Sequence, residues 1–507
     1  MVLPLAVDEP LRRSMPVESE TSCQATQPAH LEKVLPRWLR DVPLYQPLAE
    51  WLRGASGERF PFDQLARLPL ITKRDIRRGF PGNFLPAGVE LETLLELDLV
   101  ELESTSGTSE ERTPLLMGRG WWTAQEERAL RLNRFVAGIL DEFPEARRVT
   151  LGSPVCNGDI CYRGVPVKAD RIVGQALFPN LSRHPFLWSQ ADLARMAAET
   201  VEWQPQFLEV DPVYGVLFAR YCEQQGIRLP SVQFILCSYE YVSVLHRRIL
   251  QRAFGAPVFN LYGSTETGHL LMEDERGEMR PSLETAFLEV IEPDAGGVGE
   301  LVVTTLTNEY MPLIRYRIGD LVQRQETSDG PVYRVHGRVA DAFAVPAGER
   351  IPSSEISRLE PLNGRAPSPR PSPPMGEREK SNRFMGSLDD AADAHGDREP
   401  GQRKVRLLTS SPSTCLERVT TRQVDECFEG LGGMIHYQLL QRTDGRWLLR
   451  FAPDDRPPQP AEVEELRRRL ARLLDIQNGL EVSPSETLLA ESSGKFRLGY
   501  PTQARYG

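Results

Sequence analysis

Between residues 148 and 261, strand-length apolar runs alternate with helix-length amphipathic stretches. That alternation restricts the chain to βαβ units around a mainly parallel sheet. Residues 148–152, 207–210, 232–237 and 257–261 read as strands; residues 190–203, 211–225 and 244–254 read as helices. Asp211 is placed as a helix cap, with Pro212 at the first helical position. In open sheets of this kind, ligands sit beyond the carboxyl ends of the strands. The last strand runs into Asn260-Leu261-Tyr262-Gly263-Ser264-Thr265-Glu266-Thr267-Gly268, with a turn expected at Tyr262-Gly263. There a flat aromatic can cover a purine, Thr265 can bond a phosphate and Glu266 can hold Mg²⁺. Taken alone, the string is equally an ordinary strand and turn.

A chain of 507 residues exceeds one ordinary core, so at least two domains are expected. The net charge of -11 argues against a general nucleic-acid binder. No apolar run has the length of a membrane span. Residues 1–30 lack the basic start and apolar core of a signal peptide and read as a flexible arm. A cytoplasmic location and no membrane partner follow as the default. The seven cysteines have no regular spacing, which suits reduced thiols better than a disulfide framework. Cys156 and Cys161 are near each other, but there is no CxxC pair. Buried thiols, including Cys222 and Cys237, explain the pattern better than zinc.

Elsewhere, residues 31–39 and 91–99 read as helical, residues 68–73 as an extended piece and residues 121–140 as one helix. From residue 286 the texture becomes strand-rich, which suggests an antiparallel subdomain. Residues 364–403 are rich in Pro, Ser and charge. They bury too little to offset their ordering entropy and read as a disordered insertion. Residues 435–441 and 447–452 form an expected hairpin. Residues 461–474 form an Arg-rich amphipathic helix whose arginines read as a solvated face. The domain expectation is a large unit over 31–336 and a small one over 337–507.

Five segments carry chemistry. Ser104-Thr105-Ser106-Gly107-Thr108-Ser109 is a hydroxyl-rich loop suited to wrapping phosphate oxygens. The Tyr262–Glu266 segment is the second. Asp320, after the glycine of Tyr316-Arg317-Ile318-Gly319-Asp320, can accept both hydroxyls of a ribose. Gly337-Arg338-Val339-Ala340-Asp341 is the fourth. Lys495, on the glycine loop Ser493-Gly494-Lys495, is a mobile point charge suited to a phosphate or carboxylate. It is not a P-loop lysine, because no GxxxxGK[ST] pattern precedes it.

In this order, over roughly residues 60–500 apart from the insertion, the segments resemble the adenylate-forming superfamily of acyl- and aryl-CoA ligases. The short part before the hydroxyl-rich loop is similar to the phenylacetate–coenzyme A ligase branch. The resemblance implies an α/β fold: a large N-terminal domain with mainly parallel sheets and a β-rich subdomain, and a small, mobile α+β C-terminal domain. It implies ATP, Mg²⁺ and coenzyme A. Ser104 to Ser109 would be the phosphate loop. Tyr262, with Gly263 and Ser264, would lie at the adenine, which Ser238-Tyr239-Glu240 would flank. Thr265 would bind the α-phosphate, Glu266 would help hold Mg²⁺, Asp320 would bind the ribose and Arg338 the ribose or phosphate. Lys495 would bridge the substrate carboxylate and the α-phosphate.

There are departures from the family's pattern. Glu110-Glu111-Arg112 follows the hydroxyl-rich loop where a Lys-Pro or similar pair is usual, and Ala340 stands at a hinge position usually Asp or Lys, with Asp341 after it. Three readings stay open. One is adenylation of a carboxylic acid, aryl or arylacetic by default, with transfer to coenzyme A. Another is transfer to a carrier protein or a protein side chain, at which the helix arginines hint. The third is a degenerate nucleotide-binding protein. The acid pocket is expected from residues 152–157, 174–181 and 237–242, and a homodimer is the default assembly.

Overall fold

The structure is a computed structural model that describes residues 20–52, 60–105, 112–154, 167–346, 416–476, 479–491 and 494–502. In chain order, α1 (Glu20–Asp41), α2 (Lys73–Arg77) and α3 (Leu91–Glu96) precede a hairpin of β1 (Val100–Ser104) and β2 (Pro114–Gly118). Residues 20–30 of the expected arm are the start of α1, and Gln27 is buried, donating to the Ala286 carbonyl at 2.9 Å. Then come α4 (Trp121–Leu130), α5 (Arg134–Glu142), β3 (Arg148–Leu151), β4 (Ile172–Val173) and β5 (Ala176–Leu177). They are followed by α6 (Gln190–Trp203), β6 (Phe207–Val210), α7 (Pro212–Gln225), β7 (Phe234–Cys237), α8 (Val244–Phe254) and β8 (Val258–Ser264).

The single helix expected over 121–140 is two. Asn133 is extended, caps α5 by accepting from Val136 N at 2.9 Å, and donates to the Glu273 carbonyl at 2.9 Å. A buried side chain competing for backbone partners interrupts the periodicity there. The helix expected over 91–99 is shorter, because Val100 already begins β1. The helices around the parallel strands start as their caps require. Asp211 accepts from Val213 N at 3.1 Å with Pro212 next, and Ser189 and Ser243 cap α6 and α8. Gly226 and Gly255 end α7 and α8 in the left-handed region.

An antiparallel run continues the chain: β9 (Gly268–Glu273), β10 (Met279–Pro281), β11 (Ala286–Ile291), β12 (Val298–Thr305), β13 (Tyr316–Thr327) and β14 (Gly330–Arg338). It is not a separate sheet. One twelve-stranded sheet has the order β11-β12-β13-β14-β10-β9-β8-β7-β6-β3-β5-β4. The strand β8 joins its halves. Residues 258–260 pair parallel with β7, and residues 261–264 pair antiparallel with β9.

The remaining elements are β15 (Phe343–Pro346), β16 (Leu416–Val419), α9 (Thr421–Glu426), β17 (Met434–Gln441), β18 (Trp447–Pro453), α10 (Pro460–Leu473), β19 (Leu480–Pro484) and β20 (Gly499–Tyr500). The last four strands form a sheet in the order β19-β18-β17-β20, with its own core around Tyr437, Leu449, Phe451 and Leu466. Of the arginines of α10, Arg472 is exposed and Arg467 and Arg468 keep part of their side chains in solvent, as a solvated face requires, but Arg469 does not. Arg469 is buried and donates to the carbonyls of Cys427 and Glu429, Arg467 donates to Leu480 O at 2.9 Å, and Arg468 pairs with Glu465 at 2.6 Å.

This small sheet packs against the parallel half of the large one. Ile435, Ala452, Leu488 and Phe496 join the core cluster of the parallel half. Val244 N donates to Asp425 Oδ2 at 2.9 Å, and Arg220 and Arg252 reach Asp454 at 3.2 Å. His246 Nε2 and His436 Nδ1 lie 3.1 Å apart, both buried in this seam. Among the described residues, no helix is long and apolar enough to cross a membrane.

Replacing Asn133 with Ala removes a cap and a buried donor together. The midpoint of thermal unfolding should fall by the equivalent of about 1–3 kcal/mol, with Ser, which restores only the cap, in between. Equal losses for Ala and Ser would assign the whole effect to the bond with Glu273.

Candidate active site

The parallel strands β3, β6 and β7 end at Leu151, Val210 and Cys237, and the residues just beyond them are Gly152, Asp211 and Ser238. The handover strand β8 brings Tyr262 to the same edge. Its Tyr262-Gly263 pair is not a turn. Both residues stay in the strand, opposite Leu271 and His269 across a register shift, and the turn falls at residues 265–267. Gly263 has another reason to be glycine. A Cβ there would lie 2.2 Å from the Gly268 carbonyl oxygen. Ser264 Oγ and Thr267 Oγ1, 2.9 Å apart, close the turn around half-buried Thr265.

Three expected residues meet directly. Tyr262 OH donates to Asp320 Oδ2 at 2.7 Å, and Arg338 Nε donates to Asp320 Oδ1 at 3.1 Å. Asp320 and Arg338 are cross-strand partners on β13 and β14, so Asp320 is a strand residue rather than a turn aspartate. Gly319 before it has φ +86°, which gave the stretch its turn-like look. Burial, and then the Asp320 charge, hold the Tyr262 phenol well above its ordinary range, so it stays a donor.

Glu266 is buried beside this group. Its Oε1 accepts from Tyr316 OH at 3.1 Å and pairs with Lys73 Nζ at 3.0 Å. Burial alone would raise its carboxyl, but the Lys73 ammonium outweighs that and holds it below the usual range. Lys73 reaches the site because Ile71 bridges to Tyr316 in parallel, with backbone bonds to Arg315 and Arg317. The sequence carries no motif for this lysine. An ionised, buried carboxylate fits one ligand of a Mg²⁺ shared with phosphates. Among the described residues there is no group of three His, Cys, Asp or Glu that would cage a metal.

Ser238 is buried and Tyr239 exposed, yet both hydroxyls reach buried Glu209. Ser238 Oγ donates to Glu209 Oε1 at 3.1 Å and Tyr239 OH to the same oxygen at 2.9 Å. Tyr239 sits at φ +73°, a strained setting for a bulky residue. Arg148 lies between Glu126 at 2.6 Å and Glu209 at 3.5 Å. His269 packs against Trp122, with ring centroids 4.8 Å apart. None of Glu209, Arg148, Trp122 or His269 stands in a readable motif.

Glu240 accepts from Phe496 N at 2.6 Å. Burial, and then the charge of Asp211, push its carboxyl well up, against the pull of Lys495. Burial lifts Asp211 to about 7, again opposed by Lys495. Lys495 therefore acts on Glu240 and Asp211, while the cation beside Glu266 is Lys73. The lysine loop is docked at the strand ends. A Cβ on Gly494 would lie 2.3 Å from Ser153 Oγ, and Tyr214 OH, 2.8 Å from the Arg183 carbonyl, also lies 3.2 Å from Gly494 O. Two of the expected pocket segments also touch, since Asn180 Nδ2 donates to Gly152 O at 2.7 Å.

The hydroxyl-rich loop is described only at its entry. Ser104 ends β1 opposite Pro114, and buried Thr105 exchanges bonds with Thr113 at 3.0 and 3.1 Å. Ser106, Gly107, Thr108 and Ser109 lie outside the described residues, as do Glu110, Cys156, Cys161 and residues 364–403. Cys222, Cys237 and Cys427 are buried free thiols that burial pushes up to about 12, so they are inert.

No protein-family profile matches the chain. It is similar to Protein CapK of Staphylococcus aureus, at 29% identity over 302 residues, covering 56% of this chain and 61% of that protein. It is also similar to phenylacetate–coenzyme A ligase of Pseudomonas putida, at 25% identity over 313 residues, covering 58% and 65%. The matched part is thus less than two thirds of either relative. Among solved structures, 2-hydroxyisobutyryl-CoA ligase in the postadenylation state, in complex with 2-HIB-AMP, superposes with TM-score 0.61 at 15% identity. The match covers 96% of this chain and 90% of that one. The same enzyme in an open conformation gives 0.51. At this identity the likeness is one of fold.

Removing the Lys73 charge should strand the Glu266 carboxylate. Lys73→Met should lower stability by about 1–3 kcal/mol near neutral pH, allowing for the lysine's partial exposure. Glu266 is depressed, so its contribution is present above its unfolded value and fades as pH falls through the folded one. The gap between wild type and variant should therefore narrow on acidification below about 4.5, as read by thermal melts across that range. A gap independent of pH would mean that Lys73 acts on something else.

Proposed function

We propose that this chain, a phenylacetate–coenzyme A ligase-like member of the adenylate-forming superfamily, activates a carboxylic acid with ATP as an acyl-adenylate and passes the acyl group to coenzyme A. The substrate class we assign is an aryl or arylacetic acid. The observation that carries the reading is the meeting of two charged sets at one sheet edge. Tyr262, Asp320, Arg338 and Glu266 stand on one side. The docked Lys495 loop stands on the other. The large unit would be residues 31–336 and the small one 337–507.

Each residue has a task in that reaction. Tyr262, tethered by its hydroxyl to Asp320, offers a fixed aromatic face to the adenine beside Gly263, Ser264 and Ser238-Tyr239-Glu240. Each Asp320 oxygen accepts one bond already and keeps a lone pair for a ribose hydroxyl. Arg338 braces that carboxylate and faces the phosphate side. Thr265 and the loop from Ser104 to Ser109 supply hydroxyl and backbone donors to the phosphates. Mg²⁺, when bound, would supply positive charge between Glu266 and the phosphates.

In the first half-reaction a carboxylate oxygen of the acid attacks the α-phosphorus, and the bond to the β-phosphate breaks to release pyrophosphate. Two anions meet, and Lys495 offsets their charge where it develops. Its present partners, Asp211 and Glu240, have raised proton affinity, so they compete weakly with an incoming carboxylate. In the second half-reaction the thiol of coenzyme A attacks the acyl carbon and AMP leaves. Coenzyme A is favoured over a carrier protein as acceptor, because the ligases that the chain is similar to are named for coenzyme A.

Pyrophosphate release should depend on ATP, Mg²⁺ and one class within a panel of aryl, arylacetic, fatty and amino acids, and rise further with coenzyme A. Lys495→Ala should lower the rate by roughly 10²–10³ while leaving ATP binding intact. A folded protein that binds ATP but releases no pyrophosphate with any acid would overturn the ligase reading.

A further inference from the structure

Arg497 lies two residues beyond Lys495, and its guanidinium is committed to one short turn of the chain. Its Nε donates to Asp341 Oδ1 at 2.7 Å, and its Nη2 reaches the same oxygen at 2.5 Å and the Ala340 carbonyl at 2.9 Å. The cation also packs over the Tyr500 ring at 5.0 Å and lies 3.5 Å from Glu491 Oε1. Asp341 is buried, so an unpaired carboxylate there would be costly. The approach is close in the backbone too, since a Cβ on Gly499 would lie 2.5 Å from the Asp341 carbonyl oxygen.

The turn in question, Val339–Asp341, follows directly on Arg338. A path of contacts therefore runs from Tyr262 to Asp320 to Arg338, along the backbone of Val339 and Ala340 to Asp341, and through Arg497 to Lys495 two residues before it. The unusual residue at the hinge position, Ala340, takes part through its carbonyl, which any side chain would leave available.

We propose that Arg497 is a positioning residue: by gripping the turn after Arg338 it fixes Lys495 relative to the Tyr262–Asp320–Arg338 group, and so governs acyl-adenylate formation rather than thioester formation. The proposal rests on the ligase reading for its kinetic part. The grip is made by both the charge and the fork of the guanidinium, so lysine restores part of it and alanine none.

The test uses the full chain with Arg497→Ala, Arg497→Lys and Asp341→Asn. Acid-dependent exchange of pyrophosphate into ATP should fall about tenfold or more in Arg497→Ala and Asp341→Asn, since small misplacements of a reacting group cost that much. The KM for ATP should be little changed, and Arg497→Lys should recover much of the rate. Thioester formation from preformed acyl-adenylate and coenzyme A should stay near wild type. Exchange unaffected by Arg497→Ala, or an equal fall in both half-reactions, would overturn the proposal. A second readout needs no turnover. Modification of Lys495 by an amine-reactive ester, followed by peptide mapping, should rise several-fold in Arg497→Ala, with Lys168 as the unchanged reference. Unchanged labelling of Lys495 would overturn the positioning role even if the wild type proved inactive toward every acid, an outcome that would count against the ligase reading alone.

Discussion

The site depends on one strand that changes partners midway. The first half of β8 bonds parallel to β7 and its second half antiparallel to β9. The two partners flank opposite edges of β8, and on the β7 edge the ladder stops where Cys237 faces Asn260. The residues that follow on β8 are thereby pushed past the carboxyl edge of the parallel half while still held by backbone bonds on their other side. Tyr262 gains a fixed direction and Glu266 a buried seat, which a free loop would not give. Gly263 marks the cost of that arrangement, for the returning strand passes too near to admit any side chain.

Burial then sets the electrostatics. Four carboxyls gather around the edge: Asp320, Glu266, Asp211 and Glu240. Their environments differ. Glu266 has a cation at contact and stays charged, Asp320 is braced by a phenol and a guanidinium, and Asp211 and Glu240 share the influence of one lysine and hold protons more strongly. Glu266 is thus held below the usual carboxylate range by its lysine, while burial lifts Asp211 and Glu240 above it, a divergence that functional sites often show.

Much of this was legible in the sequence. The cap at Asp211, with Pro212 after it, marks the start of α7, and apolar periodicity marks α6 and α8 to within a residue or two, because both signals are local chemistry. Tyr262, Asp320 and Arg338 were readable as an ordered set, and the fold brings them into contact. Glycine misled twice. Gly263 and Gly319 look like turn residues, yet both lie within strands, the first because another backbone crowds it. Asn133, set within an amphipathic repeat, hid the break between two helices. The pairings of Lys73, Glu209 and Arg497 were hidden for a different reason, although Lys73 and Arg497 stand in segments that the sequence singles out. Each acts through a partner far along the chain, and no spacing or periodicity records such a pairing.

The paired imidazoles at the seam carry a consequence for how the two units hold together. His246 and His436 are kept neutral by burial, His246 down at about 3 and His436 well below its ordinary value. Wherever the seam admits water, the rings regain the proton affinity of an exposed histidine, near 6.5. Closing the seam below that value therefore expels protons, so hydrogen ion competes with the small unit for its berth. Above it the competition vanishes. Any opening of the seam would thus be linked to protons through two side chains that lie outside the Tyr262–Asp320–Arg338 group.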